Sequence, residues 1–121
     1  MRLLSPVILI VAGPEDSAFA AACRKVMEMD GFRVITVGSL GLAVMLACKD
    51  RVNLIVLSKS FGDIEQHAFI DCVHETHPSI HILCVRQSVS PQTLREGCNS
   101  ILSADPGAAA FIHERRYRRA S

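Results

Sequence analysis

The sequence predicts an α/β fold, a doubly wound parallel sheet made of five β-α units. Three observations carry that expectation. Four short aliphatic runs, at residues 7–11, 34–37, 54–57 and 80–85, show no polar alternation, as strands covered on both faces do not. Segments of helical length with usable capping residues lie between them. The two kinds of segment alternate without linker, repeat or low-complexity stretch, which implies right-handed crossovers and a parallel sheet in one domain spanning residues 1–121.

In chain order, Val7–Val11 is the first strand, and Asp16 is placed to cap a helix through Phe19, Ala22, Cys23, Val26 and Met27 that stops at Gly31. Val34–Val37 is the second strand, followed by a helix that Ser39 opens over Leu40–Lys49. Leu54–Leu57 is the third, and Asp63 with Gln66 resembles a capping box for a helix ending near Pro78. Ile80–Val85 is the fourth strand. Ser90-Pro91 then supplies a cap and a first-turn proline, and Gly97 is the expected stop. Ser100–Leu102 is a weaker fifth strand, and Asp105-Pro106 starts a last helix through Ala108–Arg119. The strand order expected is 2-1-3-4-5.

Composition bounds the function. A chain of 121 residues that is 50% hydrophobic but only 5% aromatic builds one aliphatic core. Formal net charge is +1, yet Arg115, Arg116, Arg118 and Arg119 sit together near the end; without them nine basic groups face twelve acidic ones, a net of −3. A mildly acidic body with a basic end at residues 114–121 is the better description. The five cysteines stand singly, as expected of thiols used as small apolar residues in a reducing cytoplasm. Glu15 and Asp16 interrupt what would otherwise imitate a secretory signal, and no run approaches the ~20 apolar residues of a membrane span.

In such a sheet chemistry gathers outside the carboxyl ends of the first and third strands. Those ends read "VAGPED" (11–16) and "LSKS" (57–60). Here the chain resembles the response-regulator receiver domain of two-component signalling, a flavodoxin-like (βα)5 fold, along essentially its whole length. "ILIVAGPED" is similar to the receiver's first strand and acidic loop, and "DGFRVITVGSLGLAVMLACKDRVNLIVLS" keeps the spacing from first helix to phosphoacceptor. "HPSIHILCVRQ" and "GCNSILSADP" are similar to its fourth strand and to its fifth strand with the loop after it.

The resemblance implies a phosphoryl site whose parts this sequence lacks. Receivers phosphorylate an aspartate ending the third strand; an acidic pair after the first strand helps hold Mg²⁺, which takes about six oxygen ligands. A Thr or Ser and a Lys then hold the phosphoryl oxygens. Matched by position, Ser58 stands at the acceptor, Ala12 and Gly13 at the acidic pair, and Arg86 at the Thr/Ser place. The lysine position falls on Ala104, or on Asp105 with one residue inserted, and the aromatic switch position is Ile101. Lys59 and Arg86 are candidate contacts for an anion near Ser58, or Arg86 serves a neighbouring carbonyl or carboxylate.

The expectation is a degenerate receiver: no enzyme, no cofactor, no metal, but a regulatory module binding a protein partner or a second copy. The family's interaction face maps onto Arg95, Ile101, Ala108 and Phe111. Two alternatives stay open, a phosphorelay component with an unconventional acceptor and a nucleic-acid binder acting through the arginine-rich end. A serine hydrolase is disfavoured because Val56 and Ser60 replace the glycines of the nucleophile elbow. His74, His77 and His81 fall across a helix end and a strand, a poor zinc spacing.

Overall fold

The computed structural model describes residues 5–49, 51–106 and 108–112. Strands β1 (Val7–Val11), β2 (Arg33–Val37), β3 (Leu54–Leu57) and β4 (His81–Cys84) form one parallel sheet in the order β2-β1-β3-β4. Between and after them run α1 (Ser17–Met29), α2 (Leu40–Lys49), α3 (Asp63–Thr76) and α4 (Pro91–Ser103), with a 3-10 turn at Pro14–Asp16. The doubly wound parallel architecture is therefore as expected from the sequence.

The period of two along each strand divides the core into two layers. Ile8, Ile10, Leu54 and Val56 face α1 and α4, packing on Cys23, Met27, Leu94, Cys98 and Leu102. Leu9, Val11, Ile55 and Leu57 face α2 and α3, packing on Ala43, Ala47, Phe69 and Val73. Every residue of β1 and β3 is buried, which explains their unbroken apolar runs. Burial pushes the Cys23 thiol up to about 11 and that of Cys98 up to about 12, so both behave as small core residues.

Helix ends follow local chemistry, with two departures from expectation. Ser39 Oγ accepts from the Leu42 N–H at 3.2 Å and Ser90 Oγ from the Thr93 N–H at 3.1 Å, ordinary N-caps. Gly31, after α1, has φ of 88°, a left-handed conformation glycine adopts without penalty. Asp16 stands at the N-cap of α1 but makes no capping hydrogen bond, because its carboxylate is engaged elsewhere. At α3 the N-cap is Gly62 rather than Asp63, and the Gln66 side chain reaches the Ser58 carbonyl at 3.3 Å instead of closing a capping box.

The expected fifth strand is absent among the described residues: positions 100–102 are the last turns of α4, which continues past Gly97 to Ser103. The reason is packing. Leu94, Cys98 and Leu102 recur every four residues and are all buried, a helical stripe that absorbs the short apolar run. Gly97 is no stop but an interior helical position beside β4, where a Cβ would meet Leu83 Cδ2 at 3.9 Å. The sheet consequently ends at β4, and α4 lies on the same side as α1. Residues 106 and 108–112 are helical; the arginine-rich end at 114–121 lies outside the described residues.

Candidate functional site

β1 and β3 are adjacent and in register, Val11 beside Leu57, so the loops leaving them meet above the carboxyl edge of the sheet. The Ser58 N–H continues the ladder by donating to the Val11 carbonyl at 2.9 Å, which fixes Ser58 at the mouth. On the other side, the Pro14–Asp16 turn lowers Asp16 into the same crevice, where it is 7% exposed.

Ser60 Oγ donates to Asp16 Oδ2 at 2.7 Å, and Ser58 Oγ lies 2.5 Å from Ser60 Oγ. Ser60 spends its only proton on the carboxylate, so the proton between the two hydroxyls belongs to Ser58. Ser60 Oγ also accepts from the Gly13 N–H at 3.1 Å, and Ser58 Oγ from the Ser60 N–H at 3.2 Å. Gly13 is tightly fitted: a Cβ there would sit 3.1 Å from both the Glu15 carboxylate and Ser60 Cβ. Lys59 Nζ is 3.4 Å from Asp16 Oδ1 and balances its charge. The Ser60 hydrogen bond is the main reason that the Asp16 carboxyl is held below its ordinary value, with the Lys59 charge assisting against the opposing effect of burial.

A cavity of about 180 Å³ opens beside this network, lined by Asp16, Phe19, Ser58, Lys59, Gln87 and Val89 among others. The donor set does not fit Mg²⁺. Ala12 and Gly13 offer no side-chain oxygen, both serine hydroxyls are committed, and an ammonium already neutralises the one buried carboxylate. No group of three His, Cys, Asp or Glu side chains among the described residues could hold a metal ion.

The structure brings only part of the sequence-derived site together. Ser58, Gly13 and Lys59 meet at the crevice, while Ala12 is buried in the core layer beneath α1 with its N–H on the Val37 carbonyl. Arg86 is exposed and lines a different cavity, between β4 and α4, so it does not join Lys59 around Ser58. Ala104 and Asp105 follow α4 at the opposite end of the sheet, with Asp105 Oδ1 3.6 Å from Nε2 of His81, the first residue of β4. They cannot stand at the lysine position, because the strand that would have carried them upward is helix. Gln87, from the loop after β4, reaches the crevice instead.

Of the residues expected on an interaction face, Ala108 is buried while Arg95, Ile101 and Phe111 are half-buried. Arg95 grips the buried Asp30 through two hydrogen bonds of 2.6 Å, Ile101 packs on the core, and Ala108 is fully buried. Phe111 packs on Phe32 with ring centroids 5.9 Å apart. Among the histidines, His74 Nε2 contacts the Ile80 carbonyl at 2.9 Å and His81 Nε2 lies 3.6 Å from Asp105 Oδ1. Ser60, Gln66 and Gln87 were missed. The hydroxyls flanking Lys59 in "SKS" were the available signal for Ser60; the two glutamines had none.

No protein-family model and no curated protein matches the chain. Solved structures do. A response regulator from Thermotoga maritima superposes with a TM-score of 0.72 at 18% identity, over 84% of this chain and 100% of that one. A CheY-like receiver domain protein from Methanospirillum hungatei JF-1 gives 0.67 at 15% identity, over 95% and 99% of the two chains. A response regulator from Burkholderia pseudomallei, carrying a phosphorylated aspartic acid, a calcium ion and citrate, gives 0.60 at 17% identity, over 94% and 75%. These likenesses establish the fold, the flavodoxin-like fold of CheY-like receiver domains.

Proposed function

We propose that the chain is a degenerate receiver, a signalling module that acts through protein contacts and does not take up a phosphoryl group by the aspartyl route. The observation that carries this reading is the closed network of Ser58, Ser60, Asp16 and Lys59. A receiver crevice that accepts a phosphoryl group needs a free carboxylate nucleophile and oxygen ligands for a divalent cation. This crevice holds an alcohol as its nearest equivalent, tied into hydrogen bonds with Ser60 beside an Asp16 carboxylate that Ser60 and Lys59 already occupy. The one buried carboxylate is spent as an acceptor for Ser60 and a counter-charge for Lys59.

The network also explains why the scaffold persists without the chemistry. Charge and hydrogen-bonding capacity at the strand mouths are satisfied internally, so the crevice is stable without a guest. The partner is a protein, and no helix among the described residues is long and apolar enough to cross a membrane. The reading is tested by incubating the chain with acetyl phosphate and Mg²⁺ and measuring intact mass. No mass change is expected. A gain of one phosphoryl group would establish the unconventional-acceptor alternative in its place.

A further inference from the structure

Among the described residues the sheet stops at β4 and leaves that strand's outer edge open. The N–H groups of His81 and Val85 donate inward, to the Asn53 carbonyl at 3.3 Å and the Leu57 carbonyl at 2.8 Å. The alternation of a parallel ladder then points the N–H and C=O groups of Ile82 and Cys84 away from β3. Among the described residues none pairs with them. All of β4 is half-buried, unlike β1 and β3. Apart from its length of four residues, β4 lacks the usual edge protections, since His81–Cys84 contains no lysine, proline or break in register. Along the same edge runs a groove of about 390 Å³ whose lining includes Leu83, Val85, Val89, Leu94 and Gly97.

We propose that this edge pairs antiparallel with β4 of a second copy, about a two-fold axis at Leu83, joining two four-stranded sheets into one. The proposal builds on reading the chain as an interaction module and names its partner. Three features select a second copy. Centred on Leu83, the arrangement sets Ile82 of each copy opposite Cys84 of the other, both pairs being of the hydrogen-bonded kind, so the outward groups of both strands are satisfied together. The opposed residues carry no like charges: His81 meets Val85, and Arg86 meets Ile80. Charge at the two strand ends is complementary as well. Arg86 is exposed at the carboxyl end and Asp105 lies beside His81 at the amino end, so antiparallel pairing runs the cationic end of one copy along the acidic end of the other. Parallel pairing would set Arg86 beside Arg86.

Sedimentation equilibrium on the full chain at hundreds of micromolar is expected to give twice the chain mass. Leu83→Lys, which opposes two ammonium groups at the axis, is expected to weaken association at least tenfold. Leu83 also touches the core, so a cross-linking pair separates folding from pairing. With Cys48, Cys72 and Cys84 replaced by serine, Leu83→Cys places two thiols on Cα atoms about 4.5 Å apart, within disulfide reach. Oxidised glutathione is expected to yield a covalent dimer from this variant and none from Ile82→Cys in the same background. A monomer at every concentration overturns the proposal, whether its edge stays open or takes another strand, and so does equal cross-linking from both positions. Either result leaves the reading of the crevice standing, because that is decided by the phosphodonor assay.

Discussion

Ser60 decides the behaviour of the crevice, although Ser58 occupies the conspicuous position. Its hydroxyl holds Asp16, receives Ser58 and accepts the Gly13 N–H. Ser60→Ala removes one oxygen and strands groups on three residues, one of them a carboxylate that is nearly buried. The expected cost is about 2 kcal/mol at neutral pH, at the upper end for a hydrogen bond because the acceptor is charged. The effect depends on pH with a definite sign. Asp16 has a folded value below its ordinary 3.8, so its contribution is complete above that value and is lost as pH falls through the folded one. Urea titrations at pH 7 and at about pH 3 are expected to show the gap between wild type and Ser60→Ala narrowing in acid. A gap of equal size at both would mean that Asp16 is not what Ser60 serves. The sequence located this site, because two strand ends converge on it, but not its wiring. Asp16 precedes a helix and looks like a cap; only the fold brings "SKS" against it and shows that its oxygens are taken.

At the scale of elements, four of the five expected strands were legible, and the extent of α4 was not. Buried parallel strands announce themselves as uninterrupted aliphatic runs, so β1 and β3 matched their expected bounds. Ser100–Leu102 carries the same kind of signal over too few residues, and a four-residue spacing reaching back to Leu94 outcompetes it. Gly97 compounded the error, since a glycine near an apolar run suggests a stop. Its true place inside α4 yields a prediction. A helical glycine costs backbone entropy, and the Cβ it lacks would meet Leu83 at 3.9 Å, an ordinary contact. Gly97→Ala is therefore expected to raise stability by about 0.5–1 kcal/mol, read as a higher urea midpoint with an unchanged slope. Were residues 91–97 and 100–102 a helix and a strand joined by a turn, the same substitution would destabilise.

At the scale of the whole molecule, α4 is held on the α1 side by one polar clasp within an otherwise apolar layer. Arg95 donates through Nε and Nη2 to the two oxygens of Asp30, each at 2.6 Å, and Asn99 Nδ2 lies 3.3 Å from Asp30 Oδ2. The Asp30 side chain is 1% exposed and that of Arg95 24%, so water screens this pair far less than it screens Arg24 and Glu28, which are about half exposed. The surface pair is worth at most a few tenths of a kcal/mol. Arg95→Met takes a counter-charge and two short hydrogen bonds from the buried Asp30 carboxylate, an expected loss of about 3 kcal/mol. Changing both partners, Asp30→Leu with Arg95→Met, removes the buried carboxylate too, and is expected to recover more than half of that loss. Denaturation of the two single variants and the double closes the cycle. If the double variant is as unstable as the sum of the singles, the pair is not coupled, and apolar packing of Leu94, Cys98 and Leu102 alone holds α4 in place. Because this clasp sits between α1 and α4 while the Ser60 network joins β1 to β3, the two losses are expected to add when combined, showing that the crevice and the helical layer are stabilised independently within one cooperative fold.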